Sequence, residues 1–139
     1  MENSRIVVES AINALIEKVW ACYTEPTHIM QWNNASPDWH TPKAENDLRV
    51  GGKFSSTMAA KDGSFSFDFW GIYDEVVANE RIAYTLGDDR KVSVDFKSDG
   101  SQTVVTTVFE PESENSHELQ KAGWQAILDN FKKHVESQA

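Results

Sequence analysis

An apolar stripe near the end of the chain limits the possible folds more than any other feature. The stripe recurs at intervals of three and four residues, through Trp124, Ile127, Leu128, Phe131 and Val135. This is the period of one face of an α-helix. It predicts a helix over residues 116–137, capped by Asn115 or Ser116. Such a helix must pack its stripe on another apolar surface.

The surface that can receive the helix is a sheet. Alternating apolar residues predict strands at 5–13, 53–59, 64–77, 82–86, 92–96 and 103–109, with a seventh, short strand at 45–49. Asp62-Gly63 and Asp99-Gly100 predict hairpins with type I′ turns. Strands joined by hairpins are antiparallel, and a sheet of six to seven strands curves through its own twist.

Two short helices are predicted between the first strand and the rest of the sheet. Leu15, Val19 and Tyr23 are spaced by four in a segment that covers residues 14–24. Glu25-Pro26 ends this helix, and Pro26 begins a second one that reaches Trp32. Residues 33–44 are predicted to be irregular. The fold class is therefore α+β, with residues 1–139 forming a single domain.

One helix cannot cover the whole concave face of a curved sheet, so the pattern predicts an apolar cavity between them. The residues predicted to line it are Trp32, Trp39, His40, Phe54, Ser56, Met58, Phe67, Phe69, Tyr84, Trp124, Leu128 and Phe131. Two alternatives stay open. Phe67 and Phe69 are either core residues or cavity wall, and Trp39-His40 is either the cavity mouth or a pinned surface loop.

Charge and composition exclude several classes of partner. The formal net charge is −9, which disfavours nucleic acids and anionic membrane surfaces because both require clustered lysine and arginine. No segment predicts membrane insertion. The single cysteine, Cys22, rules out an internal disulfide, and the chain opens without a signal-peptide pattern. We expect a cytoplasmic protein.

The sequence predicts neither a metal site nor a cofactor. His28, His40, His117 and His134 are scattered along the chain, and no HExxH motif or cysteine cluster occurs. The chain contains no G-x-S-x-G nucleophile motif and no glycine-rich phosphate loop. No catalytic residue is assigned.

Several segments together resemble the START-like helix-grip superfamily, which includes polyketide cyclases and lipid carriers. They are residues 16–20, 47–54, 71–76, 80–84 and 123–131. Within that superfamily, the chain is similar to bacterial proteins related to the C-terminal domain of the activator of the heat-shock-protein-90 ATPase. The resemblance implies a helix-grip fold with the curved sheet wrapped on the long C-terminal helix.

Three classes of function follow. The first is binding of a small hydrophobic or aromatic molecule, lipid- or polyketide-like, beneath the long helix. The second is a cyclase-like enzyme that uses His40 or a tyrosine as its acid–base group. The third is a co-chaperone-type interaction module. The chaperone activator has an additional N-terminal domain for which this chain has no room, so stimulation of a chaperone ATPase is not expected.

Overall fold

The computed structural model describes residues 5–34 and 36–138. Seven strands and three helices follow one another in an order close to the predicted one. They are β1 (Ile6–Ile12), α1 (Ile16–Thr24), α2 (Pro26–Trp32), β2 (Trp39–Asn46), β3 (Lys53–Ala60), β4 (Ser66–Val77), β5 (Arg81–Leu86), β6 (Lys91–Asp99), β7 (Gln102–Phe109) and α3 (His117–Ser137).

All seven strands form one antiparallel sheet in the order β1-β7-β6-β5-β4-β3-β2. The sheet curls into a half-barrel around α3. The predicted α+β helix-grip architecture is therefore confirmed, including the two short helices after the first strand.

Strict alternation decides which side chains form the core. In β1, β5 and β7 every second residue is buried. The concave face therefore carries an apolar surface, which includes Val8, Ile82, Val94, Val105 and Phe109. The stripe of α3 packs on this surface, with Phe131 and Val135 fully buried. Burial of this apolar area is the main force that holds the helix in the curve of the sheet.

The prediction for residues 33–44 is wrong in part, because β2 begins at Trp39 and pairs with β3. The register of this pair shifts between His40 and Lys43, and Pro42 lies at the shift. Proline lacks the backbone N–H that a strand ladder needs, but β2 lies at the edge of the sheet, where one side of the strand has no partner strand.

Both predicted hairpins form, but neither uses the expected turn. Gly63 has a φ of 80° and Gly100 a φ of 65°, whereas a type I′ turn needs positive φ at two consecutive residues. Asp62 and Asp99 do not have positive φ. Asp99 pairs with Gln102, which leaves Gly100-Ser101 as the two-residue loop. Positive φ at only the first loop residue is the pattern of a type II′ turn.

Helix α3 begins as one of the two capping alternatives predicts. Ser116 is the N-cap, and its hydroxyl accepts a hydrogen bond of 3.0 Å from the backbone N–H of Leu119. The predicted boundary between α1 and α2 at Glu25-Pro26 is also confirmed, with Pro26 in the first turn of α2. Among residues 5–34 and 36–138, no helix is both long and apolar enough to cross a lipid bilayer.

Candidate functional site

A cavity of about 280 Å³ lies between the concave face of β3–β5 and the three helices. The side chains that line it are mostly aromatic or aliphatic. They are Tyr23, Ile29, Trp32, Asn33, Glu45, Asn46, Phe54, Ser56, Met58, Phe67, Phe69, Tyr73, Ile82, Tyr84, Trp124 and Ile127.

The pleat of two neighbouring strands supplies most of the cavity floor. Phe54 and Ser56 come from β3, and Phe69 and Tyr73 come from β4. Gly71, which pairs with Phe54, lets the Phe54 ring lie flat across β4. A β-carbon at Gly71 would come within 2.8 Å of that ring, closer than a van der Waals contact allows.

Aromatic rings brace one another around the cavity. The Phe54 ring lies 4.7 Å from Tyr84 and 5.4 Å from Tyr73, measured between centroids. Across the cavity, Trp124 of α3 stacks on Phe109 at 4.0 Å and meets the edge of Phe69 at 6.1 Å. Such pairs stabilise their geometry beyond simple burial, by about 0.5–1.5 kcal/mol each. The walls are therefore held in place before any ligand arrives.

A short hydrogen-bonded chain fixes the polar end of the cavity. The Tyr73 hydroxyl donates to Oδ1 of Asn46 at 2.6 Å, and Nδ2 of Asn46 donates to the backbone carbonyl of Thr24, also at 2.6 Å. These two hydrogen bonds join β4 to β2 and α1. Burial raises the pKa of Tyr73 above its usual value, so the hydroxyl keeps its proton and remains a donor at neutral pH.

The hydroxyl of Tyr84 is different, because it has no hydrogen-bond partner among the described residues. Within those residues, no fully buried side-chain oxygen or nitrogen lacks a partner. The Tyr84 hydroxyl must therefore be reachable from the cavity that its side chain lines. Burial raises the pKa of Tyr84 well above its usual value. The group is consequently a protonated donor, and the nearby Tyr23 and Tyr73, which line the same cavity, contribute to the rise of its pKa.

The charge around the cavity is low. Glu45 is the only charged side chain among the described residues that line it, and its side chain is 67% exposed. Phe67, another lining residue, is 44% exposed. The cavity therefore reaches the surface beside these two residues, while its interior carries no cation that could neutralise a buried anion.

Comparison with known proteins identifies the family. The family model described as "Activator of Hsp90 ATPase homolog 1-like protein" matches residues 13–136, nearly the whole chain. The chain belongs to this family. A search of curated proteins finds no match.

Solved structures of similar proteins agree with this assignment. The solution structure of an Activator of Hsp90 ATPase homolog 1-like protein from Aeromonas hydrophila is 45% identical, with a TM-score of 0.91 over 96% of this chain and 93% of that one. A protein from Cytophaga hutchinsonii is 55% identical, with a TM-score of 0.83 over 95% and 92% of the two chains. A protein from Chromobacterium violaceum, 24% identical with a TM-score of 0.86 over 97% and 99%, shares the fold.

Eight of the residues predicted to line the cavity do so in this Activator of Hsp90 ATPase homolog 1-like chain. They are Trp32, Phe54, Ser56, Met58, Phe67, Phe69, Tyr84 and Trp124. Leu128 and Phe131 do not. Their exposed fractions are 4% and 0%, and they belong to the core behind the cavity wall. The apolar stripe cannot distinguish these positions, because one helix face supplies both core and cavity.

Trp39 and His40 also lie outside the cavity. Trp39 packs edge to face on Phe65 and Phe67, with centroids about 6 Å apart. We call Trp39, Phe65 and Phe67 the outer aromatic cluster. His40 is exposed and lies on a separate surface cleft beside Phe65. Trp39-His40 therefore does not form the mouth of the cavity, which lies beside Phe67 and Glu45, and the imidazole of His40 is not an anchor inside it.

Several lining residues were not predicted. Ile82 shares the alternation of Tyr84, and Ile127 belongs to the stripe of α3, so both carried a usable signal. Asn46 and Tyr23 did not, because their positions depend on how β2 and α1 pack against the sheet.

The expectation that the four histidines are too scattered to meet is wrong for one pair. Nδ1 of His28 lies 2.8 Å from Nε2 of His134. His28 belongs to α2 and His134 to the last turn of α3, so this contact ties the two helices together.

Proposed function

We propose that this protein binds a small, neutral, mainly apolar molecule in the cavity beneath α3. The observation that carries the proposal is a cavity of about 280 Å³ walled by aromatic rings, with the Tyr84 side chain, whose hydroxyl has no hydrogen-bond partner among the described residues, in its lining. Ligand sites are typically apolar spaces with a few placed polar groups. This cavity has that composition.

The size of the cavity limits the ligand. Drug-sized ligands occupy roughly 300–1,000 Å³, and an engineered cavity of about 150 Å³ binds benzene. At about 280 Å³, the cavity here lies just below the first range and is nearly twice the second value. A molecule of one or two rings, such as a small polyketide-like aromatic, fits these limits better than a full-length lipid.

The polar groups specify the ligand further. The Tyr84 hydroxyl stays protonated at neutral pH and can donate a hydrogen bond. The matching group on the ligand is an acceptor, such as a carbonyl or phenol oxygen. Because Glu45 is the only described lining residue with a charge, a buried carboxylate on the ligand would have no counter-ion. We therefore expect an uncharged aromatic ketone, quinone or phenol rather than a fatty acid.

Binding is supported better than catalysis. A cyclase-like reaction needs an acid and a base within reach of the ligand. The raised pKa values of Tyr73 and Tyr84 keep both hydroxyls protonated at neutral pH, so neither is available to accept a proton from the ligand. His40, another acid–base candidate, lies outside the cavity, and the Glu45 carboxylate lines it but is 67% exposed.

A ligand screen by amide chemical shifts tests the proposal. Neutral one- and two-ring aromatic carbonyl compounds should shift the amides of residues 54–58, 67–69 and 124–127, which carry lining side chains. Fatty acids of similar length serve as the charged comparison and should shift them less. If no compound class shifts these amides in a saturable way, the binding proposal fails.

The substitution Tyr84→Phe tests the anchor. Loss of one neutral hydrogen bond corresponds to about 0.5–1.5 kcal/mol, so ligand affinity should fall roughly two- to tenfold with little change in stability. Titration calorimetry with the strongest ligand from the screen measures the change.

Tyr73→Phe is the matched comparison for Tyr84→Phe. It removes a hydroxyl bonded to Asn46 and leaves an acceptor without its donor, so it should lower stability by about 1–3 kcal/mol. Equal ligand affinity in wild type and Tyr84→Phe would show that Tyr84 does not anchor the ligand.

A protein partner is the second candidate function, favoured by the outer aromatic cluster. Phe65 is 59% exposed and Phe67 44%, and their rings lie 5.9 Å apart on the surface. Exposed aromatic groups of this kind are typical of interaction surfaces. Amide shifts distinguish the two functions, since a chaperone partner added at equal concentration should shift residues 65–67 and leave 124–127 unchanged.

A further inference from the structure

Three potential metal ligands meet where the three helices pack together, and none of the three lines the cavity. Cys22 comes from α1, His28 from α2 and His134 from α3. One ligand atom from each side chain lies within 4.8 Å of the others. We propose that these three side chains bind a zinc ion, a site independent of the proposed ligand cavity.

The distances suit zinc. Tetrahedral zinc with bonds of about 2.0–2.1 Å to nitrogen and 2.3 Å to sulfur places its ligand atoms roughly 3.3–3.7 Å apart. The two histidine nitrogens are 2.8 Å apart, so they must separate by about half an ångström. The sulfur must move inward from at most 4.8 Å. Rotation of the side chains alone accommodates changes of this size.

The surroundings also resemble those of a metal site. Oε1 of Glu25 lies 3.9 Å from Nε2 of His28, the ring nitrogen that points away from His134. A metal-binding histidine usually donates its far N–H to a carboxylate, and the Glu25 carboxylate must move closer than 3.9 Å to accept that hydrogen bond. On the other side, the indole N–H of Trp32 donates to the backbone carbonyl of Cys22 at 2.9 Å, which fixes the backbone that carries the thiol.

The chemistry of the three groups favours zinc over magnesium or calcium. One thiolate and two imidazoles are ligands for zinc, whereas magnesium and calcium require oxygen. A thiol binds zinc as the thiolate, so the Cys22 thiol loses its proton when the Zn–S bond forms, and one proton is released for each zinc ion bound.

A fourth ligand must come from outside this set. Cys22 and His134 are buried, but the His28 side chain is 25% exposed. Water can therefore reach the ion from the His28 side and complete the tetrahedron, as in other zinc sites with three protein ligands. The ion would join α1, α2 and α3 at a single point and so stabilise the helices that cover the half-barrel.

Metal titration of the full chain tests the proposal. The protein is stripped with chelator under reducing conditions and titrated with Zn²⁺ against a chromophoric chelator. We expect one saturable equivalent, and a Co²⁺-loaded sample should show a thiolate-to-cobalt charge-transfer band. His28→Gln should weaken zinc binding by at least about tenfold, and Cys22→Ser should also abolish the cobalt band. His117→Gln, an exposed histidine of the same helix as His134, is the control and should bind as wild type.

The outcomes are decisive even if one variant folds poorly. The cobalt band of the wild-type protein reports the thiolate ligand without any substitution, and thermal unfolding with and without Zn²⁺ checks each variant. The proposal is overturned if wild type shows no saturable one-to-one binding. Equal affinity in wild type and His28→Gln, or binding of Cu⁺ with none of Zn²⁺, overturns it as well.

Discussion

Replacing Phe131 with alanine should lower the free energy of unfolding by about 3–5 kcal/mol, the range for a large buried aromatic residue. Phe131 is 0% exposed. Its ring meets Tyr23 at 5.0 Å and Trp32 at 4.9 Å, and both of those residues line the cavity. The substitution therefore removes the layer that supports one cavity wall. Against a typical total stability of about 5–15 kcal/mol, this loss is large.

Urea denaturation measures the effect, with Phe67→Ala as the matched control. Phe67 is the same residue type but is 44% exposed, so its loss should be under about 1 kcal/mol. The slope of unfolding free energy against urea should stay unchanged for both variants. Similar losses at the two positions would contradict the division between a core residue behind the wall and a wall residue at the mouth.

Filling the cavity should have the largest effect on ligand binding. Ser56 is 5% exposed and lines the cavity floor. In S56F the added ring, close in size to the benzene that occupies a cavity of about 150 Å³, takes up more than half of the 280 Å³ available. We expect binding of a two-ring ligand to fall below detection, at least a hundredfold. Overpacking should cost no more than about 1–3 kcal/mol of stability.

The neighbouring residue supplies the control. Ser55 alternates with Ser56 on β3, lies on the outer face opposite Trp70 and is absent from the cavity lining. S55F therefore adds the same ring on the face of the sheet opposite the cavity. It should leave ligand affinity within about twofold of wild type. Calorimetric titration of both variants gives the comparison. Retained binding in S56F would place the ligand elsewhere on the protein.

Alternation and helical period were enough to predict the floor and roof of the cavity. Phe54 and Ser56, two residues apart in β3, were assigned to one face because side chains in a strand point alternately to opposite sides. Trp124 was assigned to the roof because α3 has one apolar face. These positions depend only on local periodicity and on the sheet being the sole apolar partner for the helix.

Other features depend on information that periodicity does not contain. Trp39–Asn46 was missed in part because a register shift after His40 interrupts alternation and because Pro42 disfavours a strand. Whether Trp124 or Phe131 lines the cavity depends on the rotation of α3 about its own axis. A stripe of five apolar residues does not determine that rotation. His28 and His134 are 106 residues apart, so only the packing of α2 against α3 brings them together.

The position of β1 has a consequence for synthesis on the ribosome. Within the described residues, β1 pairs only with β7, where Ile6 lies opposite Phe109. During synthesis β1 must therefore wait about a hundred residues for its partner, roughly 5–20 s at ordinary translation rates. During that interval its apolar face, Ile6, Val8 and Ile12, has no sheet to join. The nascent chain thus has a defined period in which the apolar side chains of β1 stay exposed, until β7 has been synthesised.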